Sequence, residues 1–80
     1  MNAKEAVAKR IQELCSKKNI ALNTLANDSG VSPSTLYSII NEKSKNPGVL
    51  TIQKLCDGLG ISVHEFFNSS IFKNLEQVVV

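Results

Sequence analysis

Residues Gly30–Asn41, GVSPSTLYSIIN, decide how the chain folds. Gly30 can turn left-handed, Ser32 can accept from the free N–H groups of a helix start, and Pro33 fits the first helical position, where no N–H is needed. From Pro33 onward, about 100° per residue puts Leu36, Ile39 and Ile40 on one stripe and Ser34, Tyr37, Ser38 and Asn41 opposite it. The stretch therefore reads as a short helix with an aliphatic inner face and a small, hydroxyl-rich outer face.

Working outward, Leu22, Leu25, Ala26 and Ser29 follow i, i+3, i+4, i+7 spacing, so a helix over about Leu22–Ser29 precedes the stretch. Only Gly30, Val31 and the capping Ser32 separate the two. This is a helix-turn-helix arrangement in which the short turn forces a steep crossing and Val31 plugs the corner. Upstream, Ala3, Val7, Ile11, Leu14 and Cys15 form the apolar stripe of a helix over Ala3–Lys18, with Asn19 as its break. Downstream, Glu42-Lys43-Ser44-Lys45-Asn46-Pro47-Gly48 is a polar loop, because no helix runs through Pro47 and Gly48. Ile52, Leu55, Cys56 and Leu59 mark a fourth helix over about Val49–Leu59, closed by Gly60. A fifth opens at Ser62-Val63-His64-Glu65, which has the form of a capping box, with Ile61 and Phe66 placed to staple it. The pattern predicts an all-α fold with a domain over residues 1–68 and a short C-terminal tail over 69–80. In that tail Ile71, Phe72, Leu75, Val78 and Val79 suit an extra helix or a dimer contact.

Eighty residues suffice for one small core. No apolar run approaches the roughly 18 residues of a membrane span, and MNAKEAVAKR lacks the apolar segment of a signal peptide. The expectation is a soluble, cytoplasmic protein. Cys15 and Cys56 lie in apolar stripes without metal-ligand spacing, and His64 has no ligand partner nearby, so buried free thiols, no metal and no cofactor are expected. With no paired acid and base, no activated nucleophile and no phosphate-binding glycine loop, the chain carries no catalytic constellation and is not expected to be an enzyme. Nine basic against seven acidic residues give a net charge of +2. So weak a balance makes the placement of the cations matter more than their number.

A hydroxyl-rich helix face suits the DNA major groove: short side chains let the backbone approach while hydroxyls and amides meet base edges or phosphate oxygens. An ordinary solvated helix has the same composition. Lys43, Lys45 and Asn46 follow the end of that helix, where a groove-bound helix would bring them beside phosphates. Lysines there also favour the helix C-terminus through its dipole.

Leu25-Ala26, then Ser29-Gly30-Val31-Ser32-Pro33-Ser34-Thr35-Leu36, then Ile39 and Asn46-Pro47, and finally the run Leu55–Phe67 follow one another in a familiar order and spacing. From about Ile11 to Phe67 the chain resembles the Cro/C1-type helix-turn-helix regulators, also called the xenobiotic-response-element-like family. The resemblance implies a compact five-helix bundle of the lambda-repressor-like type that binds operator DNA, usually as a symmetric dimer, and regulates transcription. It also implies base reading by Pro33, Ser34, Thr35 and Ser38, and contacts to the DNA backbone from Asn23, Tyr37, Asn41, Lys43, Lys45 and Asn46. The chain departs from the family at Ala21 and Leu22, which replace a polar phosphate-gripping pair, so that the contact is lost or moves to Asn23, and at Glu42, which replaces a frequent glycine. Cys15 and Ile40 stand where some relatives bury an Arg–Glu pair. A contact between them is expected, since buried ion pairs often gain little over an apolar replacement.

The expectation is a repressor acting as a homodimer on a palindromic double-stranded DNA operator, its recognition helices about 34 Å apart. Without Arg, Lys or Gln on the outer face, hydroxyl contacts, packing of Pro33 or Thr35 on a thymine methyl, and DNA shape would carry specificity. The competing reading is a protein-interaction module, antitoxin-like or partner-binding, which the low net charge and apolar tail favour.

Overall fold

The computed structural model describes residues 1–41 and 46–79. Its elements are α1 (Ala3–Lys18), α2 (Leu22–Ser29), α3 (Pro33–Ile40), α4 (Val49–Leu59), α5 (Val63–Phe67) and a 3-10 turn (Ser70–Phe72), with no strand among the described residues. The all-α, five-helix expectation is met.

Local chemistry explains where each helix starts. Asn2 and Glu5 close a full capping box on α1: Asn2 Oδ1 accepts from the Glu5 N–H at 2.8 Å, and Glu5 Oε1 accepts from the Asn2 N–H at 2.9 Å. On α5 only the forward half forms, Ser62 Oγ accepting from the Glu65 N–H at 3.0 Å, and Glu65 stays exposed. Helix ends repeat one device. Asn19, Gly30 and Gly60 are left-handed, at φ 55°, 67° and 73°, and the next residue donates back into the helix: Ile20 to the Cys15 carbonyl at 2.9 Å, Val31 to Ala26 at 3.0 Å, Ile61 to Cys56 at 3.0 Å. Each left-handed residue is followed by a β-branched side chain that folds onto the core, the hydrophobic contact that accompanies this kind of helix stop.

Val7, Ile11, Leu14, Leu25, Leu36, Ile39, Leu55, Leu59 and Phe66 fill the core together with Cys15 and Cys56. Cys15 is buried in this cluster and Ile40 packs against it half-buried. Helix α1 is a wall shared by α3 and the 3-10 turn, while α2 packs on both α3 and α4. Ala3, expected on the buried stripe, is exposed in the first turn of α1, whereas Ala6, Ala8 and Arg10 are buried.

Where α2 meets α4, Gly58 leaves room for Ser29: a Cβ on Gly58 would stand 2.1 Å from Ser29 Oγ and 3.1 Å from its Cβ. That hydroxyl is buried without a hydrogen-bond partner. Arg10, for which the sequence reading had no role, is 6% exposed and clasps the end of α5. Its Nε donates to the Phe66 carbonyl at 2.7 Å and its Nη2 to the Glu65 carbonyl at 2.9 Å, while Nη1 pairs with Glu13. The short helix thus gains a donor for the Phe66 carbonyl and a second one for the Glu65 carbonyl, which also accepts from the Asn68 N–H at 3.2 Å.

Beyond α5 the chain makes no further α-helix among the described residues. Ser69 caps the 3-10 turn, accepting from the Ile71 N–H at 3.3 Å, and the Phe72 ring lies 4.9 Å from Phe67 and 6.2 Å from Phe66. Ile71, Phe72 and Leu75 are half-buried, and the Glu76 N–H reaches the Met1 carbonyl at 3.2 Å, whereas Val78 and Val79 stay exposed.

Burial raises both thiols above their ordinary range, and for Cys56 the Asp57 carboxylate adds to the effect. The thiolate being the reactive form, neither cysteine reacts with a disulfide reagent at pH 8 in the folded chain, and both react once urea unfolds it. Both ionise more easily unfolded, so stability is unaffected below the ordinary thiol value of about 8.5 and falls as pH rises past it. Gly58→Ala lowers the urea midpoint by about 1 kcal/mol of stability, because overpacking outweighs the gain in helix propensity, and adding Ser29→Ala recovers most of that loss. Arg10→Ala costs about 2–4 kcal/mol by leaving the Phe66 carbonyl and Glu13 without their partner. Arg10→Lys does not restore it in chemical denaturation, since an ammonium cannot reproduce the planar fork.

Candidate nucleic-acid interface

The start of α3 shapes its outer surface. Ser32 Oγ accepts from the Thr35 N–H at 3.2 Å and donates to Thr35 Oγ1 at 2.8 Å, and Pro33 holds the first helical position. Ser32 thereby satisfies one of the free N–H groups of the first turn and fixes the side chain three residues on. Its capping role is legible in the sequence; its second partner is signalled there only by the hydroxyl residue three positions later.

Leu36 and Ile39 are buried, at 0% and 2% exposure, which turns the opposite side of α3 outward. Pro33, Ser34, Thr35, Tyr37 and Asn41 are exposed, so the expected face is open. Ser38 is the exception. It is half-buried at the edge of this face rather than fully on it. Tyr37, 41% exposed, is the one large side chain on the face, and no residue of α3 is charged. The helix ends at Asn41, whose N–H donates to the Tyr37 carbonyl at 2.9 Å.

Two helices begin without a side-chain cap. The first residue before α2 is Ala21 and before α4 is Gly48, and among the described residues neither start receives a side-chain capping hydrogen bond, unlike those of α1, α3 and α5. Such starts offer N–H groups to an acceptor from outside the chain, with the helix dipole favouring an anion. Asn23 is exposed in the first turn of α2, and Asn46 is exposed just before α4. Glu42, Lys43 and Lys45 lie outside the described residues. Among the described residues no group of three His, Cys, Asp or Glu side chains can hold a metal ion, and no helix is long and apolar enough to cross a membrane.

The arrangement presents an uncharged outer helix face of hydroxyls with one tyrosine, on a chain that also exposes Asn23 and Asn46. Comparison with known proteins agrees with it. The family model of the Cro/C1-type HTH DNA-binding domain matches residues 10–69, a span that opens on the buried Arg10 and closes just past α5. Among solved structures, the chain is similar to prophage Lp1 protein 11, with 34% identity and a TM-score of 0.81 over 94% of this chain and 100% of the other. It is also similar to the restriction-modification controller protein C.AhdI from Aeromonas hydrophila, with 28% identity and a TM-score of 0.73 over 80% of this chain and 96% of that one. No curated protein matches the chain.

Proposed function

The chain belongs to the Cro/C1-type helix-turn-helix family of DNA-binding transcriptional regulators, and on that footing we propose that it is a repressor that reads the major groove with α3. One observation carries the reading: burial of Leu36 and Ile39 leaves Pro33, Ser34, Thr35 and Tyr37 open on the far side of the helix that follows the turn. In this reading Pro33, Ser34, Thr35 and Ser38 meet base edges. Asn23, Tyr37, Asn41 and Asn46, with Lys43 and Lys45, hold the phosphate backbone, aided by the uncapped starts of α2 and α4. Likeness to a restriction-modification controller protein supports a regulatory use of that binding. The protein acts in the cytoplasm, without catalysis of its own.

The proposal includes a homodimer on a palindromic site. Val49 and Leu50, at the start of α4, are 78% and 64% exposed, and Phe67 is 41% exposed in a groove lined by Ala3, Val7, Pro47 and Ile52 with Lys4 and Asn46 at its polar side. Apolar surface of this kind favours a protein contact, and Val78 and Val79 at the tail are a second candidate for it. The competing reading, a partner-binding module, rests on the same exposed valines and on the small net charge.

Gel-shift titrations at two salt concentrations separate these readings. Ser34→Ala and Ser38→Ala change which duplexes are preferred, whereas Lys43→Ala and Lys45→Ala weaken binding to every duplex and each reduce the salt slope by about 1. Equal loss on all sequences from the serine variants overturns the base-reading assignment, and no shift on any duplex favours the partner-binding module. In sedimentation run alongside, Leu50→Glu lowers the dimer fraction; an unchanged fraction removes α4 from the dimer contact.

A further inference from the structure

We infer that α3 recognises thymine through the methyl group of Thr35, and that Ser32 is the residue that positions it. The inference rests on the DNA-binding reading above and adds the base that one side chain selects. Thr35 and Ser32 are joined twice, by the N–H of Thr35 donating to Ser32 Oγ at 3.2 Å and by Ser32 Oγ donating to Thr35 Oγ1 at 2.8 Å. A helical threonine ordinarily divides between two side-chain rotamers. The second bond selects between them by holding Oγ1 back toward the helix start, which leaves the methyl carbon as the group free to meet another surface.

The consequence for readout is specific. A free threonine hydroxyl donates or accepts and so discriminates poorly among base edges, whereas a methyl group has one matching partner in the major groove, the C5 methyl of thymine. Thr35 is exposed in the first turn of α3, two residues after the exposed ring of Pro33, so a methyl group and a pyrrolidine ring both stand at the start of the helix. With Oγ1 accepting from Ser32 and turned toward the helix start, the group Thr35 turns outward is its methyl, and the residue selects an apolar feature. Ser32 contributes through Thr35, as a positioning residue, while still capping the helix.

The test uses the full chain and duplexes enriched from a random pool. In the enriched duplex each thymine is replaced in turn by 2′-deoxyuridine, which keeps every hydrogen-bonding group and removes only the methyl. At the position facing Thr35 the wild-type chain loses about fourfold in affinity, the worth of one buried methyl group. Thr35→Val keeps that loss, because it retains a methyl and gives up only the hydroxyl, and Thr35→Ser binds the thymine and uracil duplexes alike. Ser32→Gly costs the helix start little but removes both bonds, so its thymine-to-uracil ratio falls toward one, and Ser32→Thr restores the wild-type ratio. A wild-type chain indifferent to every exchange, or a Thr35→Ser variant as sensitive as wild type, overturns the inference and leaves DNA binding standing. An unchanged ratio in Ser32→Gly overturns the role of Ser32. A pool from which no duplex is enriched overturns the DNA-binding reading and the inference together.

Discussion

The turn from Gly30 to Ser32 sets the direction in which α3 leaves α2, and the exposure of the rest of α3 follows from it. Gly30 adopts a left-handed conformation at φ 67°, the Val31 N–H returns to the Ala26 carbonyl at 3.0 Å, and the Val31 side chain is buried. A helix of eight residues is marginal by itself in water, and α3 has only Leu36 and Ile39 fully inside. Its orientation therefore depends on the backbone bond and the buried valine that precede it as well as on its own stripe. With the turn held, the two buried side chains point at α1 and α2, and the polar side has nowhere to face but out.

A second fixed point lies at the other end of the chain. Helix α5 has five residues, too few for its own hydrogen bonds to hold it, and Arg10 binds two of its last carbonyls while Phe66 sits fully buried. The rings of Phe66, Phe67 and Phe72 then carry the chain onward into the 3-10 turn against α1. Helix α1 so serves two purposes, as the wall behind α3 and as the anchor for the C-terminal segment. The C-terminal segment and α3 thus share α1 as a common support.

An outer face without charge has a functional consequence. Long cationic side chains supply both affinity and reach, and α3 carries none, so under the proposed reading attraction to phosphate would come from elsewhere in the chain and discrimination from uncharged side chains of α3 held close to the bases. Pro33 at the first position, the Ser32 cap and the Ser32–Thr35 hydroxyl bond make the helix start rigid, as close approach under that reading would require.

Helix bounds and the helix-turn-helix were legible in the sequence because caps, left-handed stops and the 3.6-residue period are local: Ser32-Pro33, Gly30 and Gly60 announce themselves within a few residues of where they act. The exposure of Ser34 and Tyr37 was legible for the same reason, being fixed by the buried stripe of their own helix. Arg10 was not. A cation among apolar neighbours looks like surface until a carbonyl 56 residues away in sequence comes within 2.7 Å of it. Nor was the fit of Gly58 over Ser29, which depends on how closely α2 and α4 approach, or the half-burial of Ser38, which depends on what borders α3. Period and capping determine which side of a helix faces inward; only the packing of one helix on another decides how near their backbones come, and which polar group finds its partner there.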